Sequence, residues 1–193
     1  MIVPDGAISL LFSAPMTLAV RDGRKTETRR PLNPQPDHGR KVQRINADVV
    51  ALVPHDWSLD CALLPEWSLA SPWPKGATLW CREALEERDG CACYRADGEP
   101  VVVDGEPLAW RWQRGTLPGI HMPKEACRTL VRCRGTALAR LSTMTERDAL
   151  AEGFDSLDDF RALWNKLHAK RPELHAEHNP FAWRIRFAVL ALA

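Results

Sequence analysis

The chain has 193 residues, 45% hydrophobic and 26% charged, which is enough for one good core and short for two. Its formal net charge of +1 excludes strong global steering of nucleic acid, and no run of about 18 apolar residues exists to span a bilayer as a helix. Met1 to Phe12 lacks the basic start and small-residue cleavage site of a secretory signal, so a cytoplasmic, single-domain protein with no membrane partner is expected over residues 1–193.

In chain order, Ile8 to Phe12 is a short apolar run suited to a buried strand. Ser13-Ala14-Pro15 then offers a hydroxyl cap with proline in the first turn, predicting a helix through Val20 to Asp22 that stops at Gly23. Pro31, Pro34 and Pro36 break the next stretch, and polar Asp37 to Arg44 reads as a surface loop before a strand at Val49 to Val53. Residues 54–76 read as irregular but stiff, with Trp57, Trp67 and Trp73 packing down as a flap over the domain. Thr78 to Glu83 alternates as a strand. Val101 to Val103, Asp104-Gly105 and Leu108 to Trp112 form a hairpin pattern.

Cys127 to Leu141 predicts a long strand, or a pair of strands around Gly135. Thr143 or Thr145 caps a helix to Ala151, and Ser156 caps a second whose apolar residues Leu157, Phe160, Leu163, Trp164 and Leu167 recur at helical spacing. Ala182 to Leu190 alternates Trp183, Ile185, Phe187 and Val189 against Arg184 and Arg186, a half-buried strand. Strands at both ends and in the middle, with helices in two places, predict an α+β fold: a small mixed β-barrel with helices packed on the outside.

Charge is spread unevenly. Arg21 to Arg44 holds eight cations against Asp22, Glu27 and Asp37, whereas Thr145 to Phe160 carries six acids against Arg147 alone. The densest stretch, Gly23 to Arg30, packs Arg24, Lys25, Arg29 and Arg30 with Thr26, Thr28 and Glu27 at the predicted helix end. A lysine three residues before a threonine can take the hydroxyl proton if burial lowers its pKa, which suits nucleophilic chemistry on a carbonyl; the alternative is a solvated basic turn. The six cysteines, at uneven spacings, predict free thiols rather than a disulfide framework. Cys91 and Cys93 with Cys81 or His121 could hold zinc, but paired two-residue spacing is absent, so no metal and no cofactor are assigned.

Several ordered landmarks carry a resemblance: Leu11-Phe12-Ser13-Ala14-Pro15-Met16, Gly23 to Arg30, Gly76 to Glu83, Tyr94-Arg95-Ala96-Asp97, Ile120-His121-Met122-Pro123, Asp148 to Gly153, and Asn179-Pro180-Phe181-Ala182-Trp183. In them the chain resembles the ASCH domain proteins, in particular the compact versions carried by phages and prophages. The resemblance implies a β-barrel related to the RNA-binding PUA domain, with a cleft suited to a nucleobase or nucleotide. One branch is a shorter bacterial amidohydrolase that deacetylates the exocyclic amine of acetylcytidine. By that likeness Thr28 is the nucleophile, Lys25 its base, Glu152 the group that holds the lysine, and Arg30 the oxyanion donor.

The chain departs from the short enzyme in two insertions, about 45–75 and 84–125, which carry Trp57, Trp67, Trp73, Trp110 and Trp112. A larger or different ligand is therefore open. Arg29, Trp80, Arg82, Glu83, His121 and Trp183 are the further residues expected near substrate, since aromatics stack on bases and charged groups read their edges; the tryptophans equally suit a core. Three functions stand side by side: an amidohydrolase acting on an acylated pyrimidine nucleoside or related amide, a non-catalytic module binding RNA or modified nucleic acid, and a ribonuclease. The partners expected are accordingly a modified nucleoside or RNA.

Overall fold

The computed structural model describes residues 1–36, 40–46, 48–54 and 68–192. Trp57, Trp67 and Cys61 lie outside them, as does most of the expected tryptophan flap.

The chain begins with β1 (Ile8–Leu11) and α1 (Ala14–Arg21), which has Pro15 in its first turn and ends before Gly23 at φ +75°, the left-handed position glycine tolerates. Then come β2 (Glu27–Pro31), β3 (Arg40–Arg44), β4 (Val49–Pro54), β5 (Ser68–Ala70) and β6 (Thr78–Arg82). β7 (Leu85–Arg88) and β8 (Cys91–Tyr94) come next, joined by Asp89-Gly90 with both φ angles positive. β9 (Val102–Val103) and β10 (Glu106–Pro107) turn on Asp104-Gly105 in the same way, the twist-matched geometry of a two-residue hairpin. β11 (Thr116–Leu117), β12 (Thr129–Arg140), α2 (Glu146–Ala151), α3 (Leu157–Leu167) and β13 (Phe181–Leu192) complete the order.

Two expectations are corrected. Arg40 to Arg44, within the expected polar loop, is the strand β3, which pairs with β4 from Arg40↔Pro54 to Arg44↔Val50. Ser68 to Ala70, within the expected irregular segment, pairs with β4 on its other side. Among the described residues β3 ends its sheet, and cationic side chains are common on such an edge.

The chain folds as two compact units, each drawn from separate stretches. One comprises Met1–Lys25, Ala77–Arg132 and Ala188–Ala193; the other comprises Thr26–Gly76 and Cys133–Phe187. In the first, β1 runs parallel to β6 with Ile8 beside Leu79, and β6 pairs antiparallel with β12. β11, β7 and β8 form a second sheet. Trp80, Leu85, Tyr94, Val101, Met122 and Leu130 anchor its core.

In the second unit, β13 pairs with β2 and neighbours β12, while β3, β4 and β5 form a separate sheet. The alternating residues of β13 divide its packing between two clusters. Phe181 and Trp183 pack with Leu32, Val50, Leu52 and Leu138. Ala182, from the opposite face, packs with Met144, with Ala149 of α2 and with Phe160 and Trp164 of α3. The chain is thus mixed α+β, mostly sheet with few helices, and among the described residues no closed barrel is formed. No described helix is long and apolar enough to cross a membrane.

Candidate functional site

β2 carries the motif, and its register on β13 assigns the faces. Thr28 lies opposite Ile185 and Arg30 opposite Trp183, whereas Glu27 and Arg29 lie opposite Arg186 and Arg184. Side chains alternate along a strand, so Thr28 and Arg30 share the face of the Trp183 cluster, and Glu27 and Arg29 share the face that meets the helices. Backbone bonds hold the start of this segment: Thr26 N–H donates to Ala151 O at 2.8 Å, and Phe187 N–H donates to Thr26 O at 2.9 Å.

α2 is placed by a capping box in which the Thr145 hydroxyl accepts from Asp148 N–H, and Asp148 Oδ2 accepts from Thr145 N–H at 2.9 Å. Its C-cap is Glu152, whose Oε1 accepts from Arg29 Nη1 at 3.2 Å. The same guanidinium approaches Asp148 at 3.6 Å and Glu27 at 3.9 Å, and Arg184 reaches Asp148 at 3.5 Å. A network of three carboxylates and two guanidiniums therefore sits on one side of β2.

Its members are electrostatically unequal. Burial pushes the Glu27 carboxyl up, with Arg184 and Arg29 opposing and Asp148 and Glu152 reinforcing; Glu27 Oε2 is buried and makes no hydrogen bond. For Asp148, burial alone would raise the pKa, but the two Thr145 hydrogen bonds with Arg29 and Arg184 outweigh it and hold the group below its usual value. Glu27, Asp148 and Arg184 are not among the residues that the sequence assigns to the site. The alternation of Arg184 against Trp183 marks a charged face of β13, and only the strand register brings it opposite Arg29.

Among the residues expected to be catalytic, Lys25 closes the first unit, while Thr28, Arg30 and Glu152 belong to the second. Lys25, Thr28 and Glu152 are 2%, 3% and 2% exposed. The Lys25 amide donates to Ala19 O at 2.8 Å behind the α1 terminus, and its Nζ lies 5.6 Å from the centre of the Phe12 ring. Arg30 is half-buried.

The residues expected to bind substrate have separate settings. Arg29 belongs to the carboxylate network. Trp183 is a core residue of the second unit. In the first unit, Trp80 is buried with the Arg82 guanidinium 5.2 Å from its ring, and Arg82 Nε donates to Gly119 O. Glu83 is fully buried, and both its oxygens accept from Arg128 at 2.8 Å. Arg128 also donates to Asp97 and Glu99 and stacks 3.7 Å from the centre of the Tyr94 ring, so Glu83 is a core ion-pair residue. Burial alone would lower the Arg128 pKa, but Glu83 and Asp97 raise it overall. His121 is exposed in a 3-10 turn.

Among the described residues no group of three or more metal-ligating side chains is gathered. Cys81, Cys91, Cys93, Cys127 and Cys133 are free, and burial pushes the Cys93, Cys127 and Cys133 thiols up, away from reactive thiolates.

No family model and no curated protein matches the chain. Among solved structures it is similar to protein EF3133 from Enterococcus faecalis V583, described under the family model DUF984. The identity is 12%, over 97% of this chain and 82% of that one, with a TM-score of 0.43. That likeness is too distant to assign an activity.

Proposed function

We propose that this chain is an ASCH-type, PUA-like protein and a metal-independent amidohydrolase that removes an acyl group from the exocyclic amine of a pyrimidine nucleoside. The observation that carries this reading is burial: an ammonium group and a hydroxyl three residues apart, Lys25 and Thr28, are almost wholly withdrawn from water. An amine and a hydroxyl within one short motif supply a base and a nucleophile for acyl transfer.

In the proposed reaction Thr28 Oγ adds to the acyl carbonyl carbon while the Lys25 amine takes its proton, and Arg30 meets the developing oxyanion. Collapse of the tetrahedral intermediate breaks the carbon–nitrogen bond. Lys25 returns the proton to the departing amine, leaving an acyl ester on Thr28. Water, deprotonated by Lys25, then adds to the ester carbonyl; the bond from the acyl carbon to Thr28 Oγ breaks as Lys25 returns the proton to that oxygen, which releases the carboxylic acid and restores Thr28 and the neutral Lys25. Glu152 is assigned to hold the lysine between these steps, a role it would share with its hydrogen bond from Arg29.

The test is turnover of acetylcytidine and other acylated nucleosides with chelator present. Thr28→Ala and Lys25→Ala should each lose on the order of 100-fold in kcat/KM while remaining folded. Absence of turnover across the panel, with RNA binding that depends on Arg29 and Arg30, would replace this reading with a binding module.

A further inference from the structure

Glu152 stands where a helix end favours a cation. It caps the C-terminus of α2 with its side chain 3% exposed, so its carboxylate meets the negative end of the helix with little water to screen it. Arg29 offsets this: its Nη1 donates to Glu152 Oε1 at 3.2 Å. The main chain holds the other end of the residue, because Thr26 N–H donates to Ala151 O at 2.8 Å and so ties the start of β2 to the residue before Glu152.

The guanidinium is itself held from a second direction. Its Nη2 lies 3.6 Å from Asp148 Oδ2, one helical turn before Glu152, and Asp148 is fixed in turn by the Thr145 capping box and by Arg184 at 3.5 Å. Against burial, the Thr145 hydrogen bonds together with Arg29 and Arg184 hold the Asp148 carboxyl below its usual value, so this second anchor is charged at neutral pH. Glu27, 3.9 Å from Nη1, is farther than either. Two arms of one planar fork thus reach two carboxylates of the same helix, which sets both the plane of the guanidinium and the place of the Glu152 carboxylate over β2. The Arg29 side chain is 7% exposed, which leaves it almost no surface for a substrate.

We propose that Arg29 is a positioning residue of the reaction: it fixes the Glu152 carboxylate in the place from which that group serves Lys25, and does not itself meet the substrate. This rests on the amidohydrolase reading, in which Glu152 holds the amine between proton transfers. A displaced carboxylate would leave the amine free to reorient, and the loss would fall on the chemical step and not on substrate binding. Arg29→Lys supplies a point charge that reaches one carboxylate without fixing both.

The test measures kcat and KM for acetylcytidine, with chelator present, in the native protein, Arg29→Met, Arg29→Lys, Glu152→Gln and the double variant Arg29→Met/Glu152→Gln, with circular dichroism checking each fold. Arg29→Met should lose on the order of tenfold or more in kcat with KM within about threefold, and Arg29→Lys should recover part of that loss. The double variant should be no more than about twofold slower than Glu152→Gln alone, because Arg29 acts only through that carboxylate. Should Arg29→Met fail to fold, Arg29→Lys takes its place, with a severalfold loss of kcat that vanishes in the Glu152→Gln background. An unchanged kcat in folded Arg29→Met, a loss confined to KM, or losses that multiply in the double variant would overturn the proposal. The native protein separates the two possible failures: without turnover by it the catalytic reading falls and takes this role along, whereas native turnover that is indifferent to Arg29 removes this role alone.

Discussion

Glu27 is a carboxyl that the fold holds among charges without giving it a full partner: its Oε2 is buried without a hydrogen bond, and Arg29 stands 3.9 Å away, closer to Glu152. Its pKa is raised above 4.5 by burial, so its contribution to stability is fully present below that value and is lost as pH rises through the raised folded value. Glu27→Gln should therefore raise the urea midpoint over the native protein at neutral pH, and the difference should shrink as pH falls below the ordinary carboxylate value. A midpoint difference unchanged across pH would contradict this. The Arg29–Glu152 pair behaves oppositely, because both side chains are buried and joined at 3.2 Å. Glu152→Ala leaves Arg29 with longer contacts to Asp148 and Glu27, and should cost about 3 kcal/mol in urea unfolding, near the lower end for breaking a buried pair. A loss near zero would show that those carboxylates fully replace Glu152.

Elements with strong periodicity were legible in the sequence. Helices α2 and α3 obey their caps and α3 its spacing, α1 starts at Ala14-Pro15 with no capping hydrogen bond from the Ser13 hydroxyl, and β13 obeys its alternation of Trp183, Ile185 and Phe187 against Arg184 and Arg186. β3 was not legible, because its residues Arg40, Lys41, Gln43 and Arg44 leave Val42 as its single apolar position, and an edge strand needs little more. At the proposed site, spacing singles out Lys25 and Thr28 and the ASCH likeness adds Arg30 and Glu152, whereas the Arg29–Glu152 bond joins residues 123 apart in sequence and has no local signal. At the α2 terminus, Thr145→Ala removes the hydroxyl that caps Asp148 N–H and one of the bonds that keep the Asp148 carboxyl low. It should cost about 1 kcal/mol and move the Asp148 titration upward in carboxyl-detected NMR. Asp148 favours folding above its unfolded value, and that favour is lost as pH falls through its lowered folded value. The variant should therefore lose less stability in acid than the native protein; an unmoved Asp148 titration would show that the cap does not hold the carboxyl low.

For the whole molecule, the two compact units are each built from separated stretches of chain, and β12 and β13 contribute residues to both. The first unit contains the fully buried Glu83–Arg128 fork, whose loss in Glu83→Ala should cost about 3–5 kcal/mol, read as a fall in the urea midpoint. A nearly neutral change would show that Asp97 and Glu99 suffice for Arg128. Catalysis makes a different demand: the proposed reaction requires one hydroxyl, on Thr28, whatever the surrounding stability. The most direct measurement is kcat/KM for acetylcytidine, with chelator present, in the native protein, Thr28→Ser and Thr28→Val. Serine should keep activity within about tenfold, while valine, of similar shape but without the hydroxyl, should lose on the order of 100-fold or more. Turnover by folded Thr28→Val equal to that of the native protein would contradict the assignment of Thr28 as nucleophile.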